Sequence, residues 1–278
     1  MLEQLVEWGE NEDAVRALIL LGSRAGLQSV DAFSDYDLSV FCDANESYTG
    51  SDSWLTQFGN VLVCVKEKVV CKGKTFPSRL VIFEGGVKVD FTFLSIDVLD
   101  QIVQSSSLPD DYHLGYKILL DKDYKASGMF PPQYELKAVK PSEQEFHEVV
   151  KEFWFEVYHV GVYLKRGDLW SVKFRSWATH SFLLRMIEWH AEAKNDWRSS
   201  TPPIGKRMRS WVSEELWKDL HGIFGHFDAE DSWKALFSTM ELFKRITAET
   251  AQSLRFSSME DLSGNMIGFI TTLKSSPL

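Results

Sequence analysis

Two aspartates separated by one residue, Asp35 and Asp37, open the apolar run Tyr36 to Cys42. Alternate residues of a strand point the same way, so both carboxylates are expected on one side of it. Like charges held that close repel each other, and a bound cation is the usual remedy. Oxygen ligands of this kind suit Mg²⁺, which takes phosphate oxygens as further ligands. Upstream, the apolar run Leu18 to Leu21 ends in Gly22 and Ser23. Gly22 permits a tight turn with close backbone approach, and Ser23 offers a hydroxyl and an N–H; a helix starting there would add its positive end. A third carboxylate, Asp90, lies in GVKVDFTFLS, residues 86–95. Alternation puts Val89, Phe91 and Phe93 on one face of that strand and Lys88, Asp90 and Thr92 on the other. An acid in mid-strand is costly unless it is paired or bound to metal. A phosphate-holding turn and three carboxylates together fit metal-assisted phosphoryl or nucleotidyl transfer.

Asp-x-Asp alone is expected about once by chance in a chain of this length. The chain carries its own control, Asp121 and Asp123, which follow another apolar run. That pair has no Gly-Ser before it and leads into a proline-containing stretch, so it is expected to be a solvated strand end. The combination distinguishes the first pair: apolar-Gly-Ser, then Asp-x-Asp opening a strand, then a strand-borne Asp.

The segments LGSRA, SDYDLSVF and KVDFTF resemble the motifs of the polymerase-β-like nucleotidyltransferase superfamily. The segments KEFWFEVYHVGVYLKRGDLWSVKF and LLRMIEWH are similar to the helical domain of the aminoglycoside 6-adenylyltransferase (streptomycin adenylyltransferase) family. The resemblance implies Mg²⁺-dependent transfer of AMP from ATP to a hydroxyl of a streptomycin-type aminoglycoside, with release of pyrophosphate. It implies that Gly22 and Ser23 hold the β- and γ-phosphates and that Arg24 helps neutralise them. Asp35 and Asp37 would be Mg²⁺ ligands. Asp90 would be the third ligand, or would itself take the hydroxyl proton. Glu152 falls in the matching helical block, as a base or as a ligand for substrate amines; its alternative is a solvated helix face. Lys173 is implied at the nucleotide phosphates, against the alternative of a lysine snorkelling from an apolar helix.

The elements that must position these residues read as a mixed α/β half and a helical half. An amphipathic helix is expected over Leu2 to Ala14, and strands at Val15 to Leu21, Tyr36 to Cys42, Val61 to Val65, Arg79 to Glu84 and Val87 to Leu94. Gly85-Gly86 is a hairpin signal between the last two. Ser51 to Phe58 suits a helix or helical turn, Ser95 precedes a helix over Ile96 to Gln104, and residues 115–121 suit one more short strand. Periodicity is lost between Asp121 and Pro141, which is expected to be the linker. Ser142 and Glu145 then form a capping-box pattern. Helices are expected from there past Gly161, over Leu169 to Lys194, near Glu214 to Gly222, and over Ser232 to Leu254. The expected architecture is an α/β (α+β) nucleotidyltransferase domain with a mixed sheet, residues 1–135, followed by an all-α helical domain, residues 136–278.

Lys206 opens a basic cluster with Arg207 and Arg209 after a Gly, which suits a phosphate contact or a basic surface loop. Trp154, Phe155, Tyr158, Tyr163, Trp170, Phe174 and Trp177 recur at helical spacing and are expected to be mainly core, with substrate stacking as the alternative. The net charge is −10, and residues 1–140 carry 21 acids against 13 bases. An acidic chain argues against broad nucleic-acid binding and is compatible with a cationic small-molecule substrate. No apolar run is long enough for a membrane span, the first residues carry no basic leader pattern, and Cys42, Cys64 and Cys71 lack metal spacing. The expectation is a cytoplasmic protein with reduced thiols, monomeric or homodimeric. Two rival functions share these residues: the same transfer to a lincosamide or another metabolite, and an idle nucleotide-binding module.

Overall fold

The computed structural model describes residues 1–26, 30–43, 46–105, 108–133 and 137–277; for Glu46 and Ser47 only the backbone is described. The chain divides into two compact units, Met1–Leu136 and Lys137–Leu278.

The first unit is built on a six-stranded mixed sheet in the order β3-β4-β5-β2-β1-β6. Its strands are β1 (Val15–Leu21), β2 (Tyr36–Cys42), β3 (Val61–Cys71), β4 (Lys74–Phe83), β5 (Lys88–Ser95) and β6 (Lys117–Asp121). β2 and β5 run parallel, and the other pairs are antiparallel. Alternation divides each strand between two cores. Leu38 and Val40 of β2 join Val89, Phe91 and Phe93 of β5 in one apolar cluster, with Leu5 and Trp8 of helix α1 (Leu2–Asn11). Phe41 and Leu94 face the opposite way, against Val98, Leu99 and Ile102 of α3 (Ile96–Gln104). The short helices α2 (Glu46–Thr49) and α4 (Asp110–His113) complete the unit's α-helices among the described residues.

Several boundaries differ from the pattern-based reading. The β3–β4 hairpin is much longer than expected, with paired residues running from Val61↔Phe83 to Cys71↔Lys74. Its outer strand is largely exposed on both faces, so burial left no alternating pattern to read. Helix α1 stops at Asn11, and the 51–58 segment is a 3₁₀ turn over Ser53–Phe58. Gly85 and Gly86 both have positive φ in the β4–β5 turn, as a tight hairpin requires.

The second unit is helical: α5 (Glu143–Arg166), α6 (Leu169–Lys194), α7 (Glu214–Leu220), α8 (Ala229–Leu254) and α9 (Glu260–Ser275). The capping box forms: Ser142 Oγ accepts from the Glu145 N–H, and Glu145 accepts from the Ser142 N–H. Gly167, in the left-handed region at φ +78°, ends α5. Phe153 of α5 stacks on Phe243 of α8 at 3.5 Å between centroids, in the middle of the helical core. Helix α9 was not anticipated from its sequence. Gly264, Gly268, Ser263, Thr271 and Thr272 weaken its intrinsic propensity. Tertiary packing forms it instead: Ile270 is fully buried and packs so tightly on Gly161 of α5 that a Cβ there would lie 2.6 Å from Ile270 Cδ1.

The aromatic expectation is corrected for most of its members. Trp154 is buried, but Phe155, Tyr158, Trp170, Phe174 and Trp177 are exposed, Trp170 by 81%. Helical spacing placed 170, 174 and 177 on one face of α6; the core takes the other, through Val172, Thr179, Leu183 and Met186.

Candidate active site

The parallel pairing of β2 with β5 sets Asp37 directly opposite Asp90. Asp35 immediately precedes β2. One ligand oxygen from each of Asp35, Asp37 and Asp90 lies within 4.8 Å of the others, and this is the one group of three or more candidate metal ligands among the described residues. Asp90 is flanked by Val89 and Phe91, both fully buried on the opposite face, so the strand cannot roll the carboxylate away without exposing its core.

The turn after β1 closes on this trio. Leu21 pairs with Asp37, and Gly22 follows at φ +69°. A Cβ on Gly22 would overlap Asp37 Oδ2, so glycine is required for both conformation and space. Gly22–Arg24 is a single 3₁₀ turn rather than the start of a helix, with the Ala25 and Gly26 N–H groups donating back to the Gly22 carbonyl. Ser23 is half-buried on this turn. Arg24 leans over the Tyr36 ring at 4.0 Å and donates from Nε to the Ser34 carbonyl at 2.9 Å.

Lys88 enters the cluster as well. Its Nζ donates to Asp35 Oδ2 at 2.9 Å and to Asp90 Oδ2 at 2.6 Å. Burial alone would lower the Lys88 pKa, but the hydrogen bonds and charges of Asp90 and Asp35 hold it above its ordinary value. Burial pushes the Asp90 carboxyl above the usual range; Lys88 pulls it back, and Asp35 and Glu67 add to the rise. Asp90 Oδ1 is buried with no hydrogen-bond partner among the described residues. The sequence held one signal for Lys88: alternation put it on the Asp90 face.

The second Asp-x-Asp behaves differently. Asp121 caps the following turn, accepting from the Lys125 and Ala126 N–H groups at 3.0 and 2.8 Å. Asp123 is ion-paired with Arg16. Both carboxylates are thus occupied by the protein itself at the edge strand β6.

In the helical unit the three candidates lie apart. Glu152 is exposed on α5 and lines a surface cavity beside Lys140 and Arg185. Lys173 of α6 donates to the Gly225 carbonyl at 2.7 Å and to Ser232 Oγ at 2.8 Å. It lines a second cavity, of about 210 Å³, with His180 and Thr179. Burial lowers the Lys173 pKa, partly offset by Asp231 and Asp228. Lys206 is exposed, in a loop where its carbonyl accepts from Trp211 Nε1. Glu156, one turn after Glu152, is buried and paired with Arg175 at 3.1 Å.

The model of the streptomycin adenylyltransferase family matches residues 1–273. The chain belongs to this family. Two curated relatives, the aminoglycoside 6-adenylyltransferases of Bacillus subtilis (strain 168) and Campylobacter jejuni, are each 27% identical to it. Those alignments cover 92% of this chain and 90% of the first relative, and 91% of this chain and 87% of the second. A solved structure of an aminoglycoside 6-adenyltransferase from Bacillus subtilis aligns over 99% of this chain and 98% of that one, with 20% identity and a TM-score of 0.49. This streptomycin adenylyltransferase family member is an enzyme, an adenylyltransferase. No helix among its described residues is long and apolar enough to cross a membrane.

The nucleotide substrate and divalent metal that the family implies can be tested against the site. The donor set is three carboxylates, all hard oxygen ligands, with one buried oxygen that the protein leaves unpaired. That chemistry fits a hard divalent cation and disfavours a soft one.

Proposed function

We propose that the protein transfers AMP from ATP to a hydroxyl of a streptomycin-type aminoglycoside and releases pyrophosphate. The observation that carries this reading is the convergence of Asp35, Asp37 and Asp90 against the Gly22 turn. The names of the relatives support the acceptor class, and the acidic first unit suits a cationic acceptor.

Asp35, Asp37 and Asp90 would hold Mg²⁺. Bound there, the metal would supply charge stabilisation at the transferring phosphoryl group. The chain's own groups do the positioning. The Gly22–Ser23 backbone and the Ser23 hydroxyl take the β- and γ-phosphates, and Arg24 balances their charge. Asp90 is the third of these ligands or, alternatively, the group that takes the proton of the acceptor hydroxyl. In the helical unit, Glu152 contributes a carboxylate for substrate amines or for proton transfer, and Lys173 and Lys206 contribute phosphate contacts. Residues 1–135 act as the nucleotidyltransferase domain and residues 136–278 as the substrate-binding helical domain. The protein works in the cytoplasm, without nucleic-acid or membrane partners, as a monomer or homodimer.

The test is pyrophosphate release from MgATP with streptomycin, kanamycin, spectinomycin, lincomycin or no acceptor. Release with streptomycin alone is expected. Release only with another drug would keep the chemistry and reassign the acceptor. No release with any of them, while MgATP still binds, would remove the antibiotic reading.

A further inference from the structure

Lys88 stands inside the carboxylate trio without being one of its acids. We propose that Lys88 is a built-in counter-ion of the metal site: it holds Asp35 and Asp90 together without metal and competes with the incoming cation. The proposal rests on reading Asp35, Asp37 and Asp90 as a metal site.

Three carboxylates with oxygens within 4.8 Å repel one another, and desolvation at Asp90 sharpens that repulsion. Lys88 precedes Asp90 by two residues and shares its face, so its stem starts beside the cluster. The side chain is still 35% exposed, and a lysine on an open strand face is free to extend into water. Its ammonium instead bridges Asp35, just before β2, and Asp90 of β5, at 2.9 and 2.6 Å. The oxygens it contacts, Oδ2 of each, belong to residues a divalent cation would use. An ammonium and a divalent cation repel when they share ligands, so loading the site requires Lys88 to withdraw or to loosen its hold. Asp90 Oδ1, buried and unpartnered, is the oxygen that Lys88 leaves unserved. A residue that merely anchored the strand would have no reason to change metal affinity.

The experiment is a Mn²⁺ titration of the full chain without nucleotide, followed by the electron paramagnetic resonance signal of free Mn²⁺. Wild type is compared with Lys88→Met, which keeps the stem, and Lys88→Gln, which keeps a neutral donor. Circular dichroism establishes that each variant is folded, and either folded variant suffices. The proposal expects Mn²⁺ to bind about tenfold tighter once the positive charge is gone. Unchanged or weaker affinity in the folded variants, with saturable binding in wild type, overturns the counter-ion role alone. Saturable binding in none of the proteins overturns it together with the metal reading.

Discussion

Gly22 and Asp37 are packed so closely that no side chain fits between them. A Cβ on Gly22 would overlap Asp37 Oδ2, and the residue sits at φ +69°. The Gly22 turn and one carboxylate of the trio are therefore in direct packing contact. Gly22→Ala is expected to cost about 1–3 kcal/mol through its backbone conformation and the displaced carboxylate. Urea unfolding measures the stability loss. Adenylyl transfer is expected to fall more steeply than stability, by about a hundredfold, because a small misplacement of reacting groups is costly. Full activity in a destabilised Gly22→Ala protein would show that the close approach serves folding only.

Asp37→Asn and Asp90→Asn separate charge from shape. Each variant keeps its volume and relieves repulsion within the trio, so the melting temperature without metal is expected to hold or rise. Metal-dependent turnover is expected to fall by about a thousandfold or more, the scale of losing a preorganised electrostatic group. Steady-state pyrophosphate release alongside thermal melts checks both halves. Near-normal turnover in either variant would refute the metal-site assignment.

The parts of this fold that can be read from sequence are those where one physical cause dominates. Strand β5 alternates buried apolar with polar residues, so the faces of Val89 and Asp90 follow directly. Ser142 and Glu145 cap α5 through local hydrogen bonds that depend on nothing distant. Helix α9 was hidden because its stability comes from Ile270 packing on Gly161, more than a hundred residues away. The face of Trp170, Phe174 and Trp177 could be deduced from spacing, but spacing does not say whether a face is covered. In the site, the proximity of Asp37 and Asp90 depends on the parallel β2–β5 register, which no local pattern encodes. The bridging position of Lys88 depends on that same register.

The Glu156–Arg175 pair offers a test of the helical unit. Glu156 is 7% exposed in α5, and Arg175 reaches it from α6. Removing one partner of a buried pair leaves an uncompensated charge. Arg175→Met is expected to destabilise the protein by about 2–4 kcal/mol, somewhat softened by the partial exposure of the arginine. The double variant Glu156→Gln, Arg175→Met is expected to recover most of that loss. Urea midpoints of wild type and the two variants complete the comparison; a double variant as unstable as Arg175→Met would mean that the uncompensated Glu156 charge is not the cause of the loss.

His180 should make the protein acid-sensitive. Burial pushes its pKa down to about 4; the hydrogen bond to the Ile223 carbonyl opposes this and Lys173 adds to it. The carbonyl can only accept, so Nε2 carries the hydrogen in the neutral ring, at 3.1 Å from the oxygen. Above the unfolded value of about 6.5 the ring is neutral in both states and contributes no pH dependence. As pH falls from there, the unfolded chain takes up a proton that the folded ring refuses, and stability drops. The drop levels off once the pH passes below the folded value, after a total of about 3 kcal/mol. His180→Gln cannot titrate and keeps a donor for Ile223. Carboxylates shared by both proteins cancel in the comparison. Urea unfolding at pH 7 and pH 4.5 is expected to show wild type losing about 2–3 kcal/mol more than the variant over that interval. Equal losses would mean that His180 accepts its proton in the folded state as readily as in the unfolded one.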